Sequence, residues 1–104
     1  MQILSVTKYR RGDNNTHIQQ IKLGESITNT CVDRLNKLGN VTYHINYPNV
    51  FFRVKVNNNY LINGMINNRV LEIIYLNKDY KKCSEKLRKD LMNINYNYIK
   101  NEVS

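Results

Sequence analysis

The chain has 104 residues, 41% hydrophobic and 23% charged, with 16 Lys and Arg against 8 Asp and Glu and a net charge of +8. That length supports a single domain (1–104) with a thin two-layer core, and the apolar share excludes a disordered chain. No apolar run approaches the ~20 residues of a membrane span, and "MQILSVTKYRR" places its cations after its apolar residues, unlike a signal peptide. The expected setting is therefore soluble and cytoplasmic, with no membrane partner.

Ile, Leu and Val with eight Tyr and no Trp favour strands over a helical bundle. The abundant asparagine fits coding bias in an AT-rich genome. Cys31 and Cys83 lie far apart in helix-like segments without His or carboxylate at ligand spacing. They read as buried thiols, and no metal or cofactor is expected.

The first element is a hairpin, "QILSVTKYRRGDNNTHIQQIKL", with its corner at Gly12–Asn15. A four-residue loop pairs Arg11 with Thr16 and places Leu4, Val6, Ile21 and Leu23 on one face. Its end is basic, with Lys8, Arg10 and Arg11. "GESITNTCVDRLNKLGN" follows as a helix capped by Ser26 or Gly24 and stopped by a left-handed Gly39, with Ile27, Cys31, Leu35 and Leu38 as its buried stripe.

Val41, Tyr43, Ile45 and Tyr47 then alternate with polar residues up to Pro48-Asn49, and Val50, Phe52, Val54 and Val56 do so again. A three-residue loop at Asn57–Asn59 pairs Val56 with Tyr60 and Val54 with Ile62, and brings Val50 to Ile66. A two-residue loop at Asn67-Asn68 pairs Ile62 with Ile73 and Tyr60 with Tyr75. Both lengths keep one apolar set on one face, and asparagine tolerates the positive φ such corners need. The competing corner, Asn63-Gly64, would leave strands only a few residues long. A second helix runs from near Lys78 past Tyr98, with Tyr80, Cys83, Leu87, Leu91, Ile94 and Tyr98 at helical spacing; "NEVS" (101–104) is a frayed tail. The expected fold is α+β, order ββαββββα: an antiparallel sheet of a hairpin and a four-strand meander, with two helices packed on one face.

These registers place His44, Arg53, Asn63 and Glu72 in one row on the second face. Thr42, Lys55, Leu61 and Ile74 flank it on one side, and Asn46, Phe51, Met65 and Val70 on the other. Such a face serves as a solvated surface, as a homodimer interface through Phe51, Leu61, Met65, Val70 and Ile74, or as a site.

The sequence contains no phosphate-binding glycine loop, catalytic triad or carboxylate pair. The one catalytic alternative is His44 or Glu72 as general base beside Arg53 and Lys55, which suits RNA cleavage. The basic charge points to polyanions. Lys8, Arg10 and Arg11 on the hairpin and Lys78, Lys81, Lys82, Lys86 and Lys89 on the last helix are the expected phosphate contacts, with Arg53 and Lys55 as second candidates. Phe51 is the only aromatic expected on the second face, which favours duplex binding over stacking of single strands.

"FFRVKVNNNYLINGMINNRVLEIIYLNKDYKK" resembles the C-terminal sheet of RelE-type ribosome-dependent mRNA interferase toxins. The resemblance implies endoribonuclease activity, with Arg53 and Lys55 as the family's paired cations and Lys81 or Lys82 as its later basic residue. The chain departs from it in having Leu61 and Ile62 where the family carries an arginine, and one helix before the sheet instead of two. The helix–three-strand–helix order is also similar to double-stranded RNA-binding domains, with Lys81 and Lys82 at phosphate-contacting positions; the extra strand and the missing Gly-Pro-x-His loop depart from that pattern. The reading adopted from the sequence is a non-catalytic nucleic-acid-binding protein, a duplex-DNA accessory of a plasmid or phage. The alternatives are a RelE-like toxin and a small inhibitor that binds another protein.

Overall fold

The structure, a computed structural model, describes residues 1–11, 16–46 and 48–98. The elements in order are β1 (Gln2–Arg11), β2 (Thr16–Leu23), α1 (Asn29–Leu35), β3 (Asn40–Asn46), β4 (Asn49–Val56), β5 (Tyr60–Met65), β6 (Val70–Tyr75), α2 (Tyr80–Asn93) and β7 (Asn97–Tyr98). The ββαββββα order read from the sequence is present, and β7 is an addition to it. One sheet runs β3-β4-β5-β6-β2-β1-β7. Its first six strands pair antiparallel, and β7 pairs parallel to β1 through Gln2–Asn97 and Ile3–Tyr98. The corner Gly12–Asn15 and the tail 101–104 lie outside the described residues.

Both asparagine corners have the expected lengths. Val56 pairs with Tyr60 and Val54 with Ile62, while Ile62 pairs with Ile73 and Tyr60 with Tyr75. The Ile66 N–H donates to the Val50 carbonyl. Asn57 and Asn67 take φ of 51° and 74°, the left-handed region where asparagine is tolerated better than bulkier residues. Asn63 and Gly64 lie inside β5, so the competing corner does not form. The inner face thus carries Phe52, Val54, Val56, Tyr60, Ile62, Leu71, Ile73 and Tyr75, all buried with Cys31, Val32 and Leu35 of α1 and Cys83, Leu87 and Leu91 of α2 in one core.

Several local expectations are corrected. A bulge between Ile3 and Ser5 turns Ile3 inward against Leu23 and leaves Leu4 45% exposed, so Ile3 takes the core place expected of Leu4. The first helix begins at Asn29, capped by the Thr28 hydroxyl, which accepts from the Cys31 N–H. Ser26 and Gly24 cannot cap it, because Ile27 exchanges backbone hydrogen bonds with Asn67 and Asn68 and is held extended. Gly39 is not a left-handed stop: a side chain there would collide with the Lys55 carbonyl, so glycine is required for close approach to β4.

The β3–β4 register is slid by two residues from the one expected, so that Thr42 instead of His44 stands opposite Arg53 and Asn46 pairs with Asn49. An even shift keeps every side chain on its face but slides the rows. Of the inward residues of β3, Val41 packs against the core, while Tyr43 and Ile45 are 47% and 60% exposed instead of buried. Finally, α2 stops at Asn93. Asn95, at φ 65°, donates to the Met92 carbonyl while Tyr96 N–H donates to Leu91, a Schellman stop. Tyr98 therefore belongs to β7, and Tyr96 fills the core, its hydroxyl donating to the Cys31 carbonyl at 3.0 Å. Among the described residues no helix is long and apolar enough to cross a membrane.

Replacing Asn67 with valine should destabilise the fold by about 1–2 kcal/mol, since a β-branched residue resists positive φ. Glycine at that position should be tolerated. Urea unfolding of both variants checks this; equal stability of the two would contradict the corner assignment.

Candidate nucleic-acid interface

The second helix presents its cations to solvent because its opposite side is filled. Cys83, Leu87 and Leu91 are buried, Lys81, Lys82, Lys86, Arg88 and Lys89 are exposed around them, and Lys78 is exposed just before the cap. Asp79 caps the helix, its carboxylate accepting from the Lys82 N–H at 3.3 Å. Asp90 is half-buried and accepts from the Tyr60 hydroxyl at 2.6 Å and from Lys86 Nζ at 2.7 Å. Two of the three acids of this segment are thus engaged with the fold, which leaves the solvent side of the helix predominantly cationic. A groove of about 510 Å³ beside it is lined by the cations Lys82, Lys86 and Lys89, the acids Asp79 and Glu85, and Asn59, Asn77 and Cys83.

An aromatic seam joins this helix to the hairpin. The His17 ring stacks on Tyr80 with centroids 3.8 Å apart and planes at 14°. Tyr80 continues to Tyr75 at 6.2 Å and Tyr75 to Tyr60 at 6.4 Å. The Tyr75 hydroxyl donates to Gln19 Oε1, which accounts for a buried amide on β2. His17 pairs with Arg10, and Thr16 with Arg11, so the basic end of the hairpin adjoins the first turn of α2. The side chains of Lys8, Arg10 and Arg11 lie outside the described residues.

Arg53 and Lys55 are exposed on the opposite face of the sheet from α2. There the expected row is corrected by the β3–β4 register: Thr42 stands across from Arg53, and His44 stands across from Phe51. The row now runs Thr42, Arg53, Asn63, Glu72, Gln20 and Thr7 across six strands. Arg53 Nε donates to Asn63 Oδ1 at 2.8 Å, and Asn63 Nδ2 donates to Glu72 Oε1 at 3.3 Å. The flanking rows shift in the same way, to Asn40, Lys55, Leu61 and Ile74, and to His44, Phe51, Met65 and Val70. Ile18 joins the first of these opposite Ile74 and is 2% exposed, buried on the outer face, which the sequence pattern did not reveal. His44, Arg53 and Glu72 still share one shallow concavity of about 640 Å³ with Phe51, Met65 and Val70.

Cys31 and Cys83 carry free, buried thiols, and among the described residues no group of His, Cys, Asp and Glu is arranged to hold a metal ion. No protein-family model matches the sequence, and no match was found among curated proteins or solved structures.

Burial, reinforced by the Asp90 carboxylate, pushes the Tyr60 hydroxyl well above the ordinary phenol range. Burial likewise raises Tyr96. Each proton is retained in the folded state after the unfolded chain has lost it. Stability should therefore be fully present below pH ~10 and fall above it by about 1.4 kcal/mol per pH unit for each tyrosine. Urea midpoints measured from pH 9 to 11 should show this loss, and Tyr60→Phe should lessen it.

Proposed function

We infer that the protein binds nucleic acid without catalysis, as a duplex-DNA accessory protein of the kind carried by plasmids and phages. The second helix and the β1–β2 hairpin lie along the phosphate backbone. The observation that carries this reading is the His17–Tyr80 stack. It sets the strand positions of Arg10 and Arg11 beside the first helix turn, which bears Lys81 and Lys82 and is preceded by Lys78, so two separate basic segments of sequence become neighbours. A two-stranded ribbon and a helix both fit the major groove, and lysines near phosphates release condensed counterions. Arg53 and Lys55 open on the other face of the sheet and are given no part in this contact.

With about four phosphate contacts, duplex affinity should fall roughly a hundredfold between ~50 and ~200 mM salt. Lys81→Glu, Lys82→Glu and Lys89→Glu combined should flatten the salt slope by roughly two to three. These positions leave the Asp90 cluster intact. Fluorescence anisotropy on a labelled duplex measures both quantities; affinity that barely responds to salt, or no duplex binding, defeats the reading.

A second reading rests on the concavity that His44, Arg53 and Glu72 share. In an endoribonuclease, His44 or Glu72 would serve as base and Arg53 would stabilise the pentavalent phosphate. Expression should then arrest growth, and Arg53→Ala should relieve the arrest. Normal growth on wild-type expression removes this reading.

A further inference from the structure

The two edges of the sheet are treated differently. The β1 edge carries the Ile3/Ser5 bulge, is covered at one end by β7, and has Lys8, Arg10 and Arg11 in its sequence. These are devices that stop strands from pairing between molecules. The β3 edge has none of them. Its seven residues, "NVTYHIN", contain no Lys, Arg, Asp, Glu or Pro, and its register with β4 is continuous. On its helix-side face Tyr43 and Ile45 are 47% and 60% exposed, beside half-buried Val41.

We propose that a second copy of this chain adds to β3, antiparallel, with the two-fold axis at Tyr43. In that register Val41 of one copy faces Ile45 of the other, Tyr43 faces Tyr43, Thr42 faces His44 and Asn40 faces Asn46. Every pair keeps its face of the sheet, so apolar residues meet apolar residues on the helix side. Moving the axis to Thr42 would leave Ile45 and Asn46 unpaired, and moving it to His44 would strand Asn40 and Val41. The seam is also free of formal charge in a chain of net charge +8, which lets two like-charged molecules approach along it. The outer face is a poorer candidate, because the polar row Arg53–Asn63–Glu72 divides its apolar groups.

Sedimentation equilibrium of the full chain, free of nucleic acid, tests the proposal. A dimer is expected, and it should hold or tighten as salt screens the repulsion between copies, the opposite of the salt response expected for duplex binding. Tyr43→Lys sets like charges against each other across the axis and should weaken the dimer by roughly tenfold or more. Ile45→Lys, at a still more exposed position, should weaken it as well. Phe51→Lys, pointing from β4 to the other face, should leave the dissociation constant within about twofold, since single exposed substitutions away from an interface have small effects. Circular dichroism establishes that each variant stays folded. A monomer at all concentrations overturns the proposal, as does a dimer dissolved by Phe51→Lys but indifferent to Tyr43→Lys and Ile45→Lys.

Discussion

Everything in this fold depends on keeping one face of the β4–β5–β6 meander dry. Side chains alternate along a strand, so each corner must preserve parity or the whole apolar set turns to solvent. Asparagine does this at Asn57–Asn59 and Asn67-Asn68, where Asn57 and Asn67 adopt positive φ. With parity held, Val54, Ile62 and Ile73 line up across three strands and meet Leu35, Leu87 and Leu91 of the helices. The polar row on the other face follows from the same constraint, because residues excluded from the core must align with one another.

The charge distribution is a second consequence of that core. With Cys83, Leu87 and Leu91 committed to the sheet, the lysines of α2 can only face outward. Asp90 is drawn inward by the Tyr60 hydroxyl, where it also binds Lys86, so an acid that would have diluted the basic surface is turned to structural use. The inward tyrosines carry hydroxyls that need acceptors, and Asp90, Gln19 and the Cys31 carbonyl supply them. The chain thus builds its core from amphipathic rings, with a polar contact for each of the buried tyrosines Tyr60, Tyr75 and Tyr96.

What was legible in the sequence was whatever periodicity and corner length decide locally. The meander registers, the α2 stripe and the Arg11–Thr16 pairing belong to this class. The misreadings arose where one residue of backbone geometry competes with a pattern. Leu4 and Ile3 are equally apolar, and only the bulge selects between them. Residues 24–28 have an acceptable cap signal, but Ile27 is held extended by hydrogen bonds to the β5–β6 corner some 40 residues away. The β3–β4 slide by two is invisible to a parity argument, since any even shift keeps the faces, yet it parted His44 from Arg53. Asn95 was the available signal for the end of α2, and the apolar spacing that continues to Tyr98 masked it.

By itself the sequence determined the order of elements from β1 to α2, the faces of the meander strands, the registers of the asparagine corners and the basicity of the last helix. These follow from alternation, turn stereochemistry and composition, which act over a few residues at a time. Tertiary structure alone decided which apolar residues are covered. Tyr43 and Ile45 have the pattern of core residues, but they are 47% and 60% exposed, while Val41 of the same strand packs against the core. It also decided that the hairpin and α2 meet, through a stack between His17 and Tyr80, residues far apart in the chain. Burial and proximity are properties of the whole packed object, and no local pattern carries them.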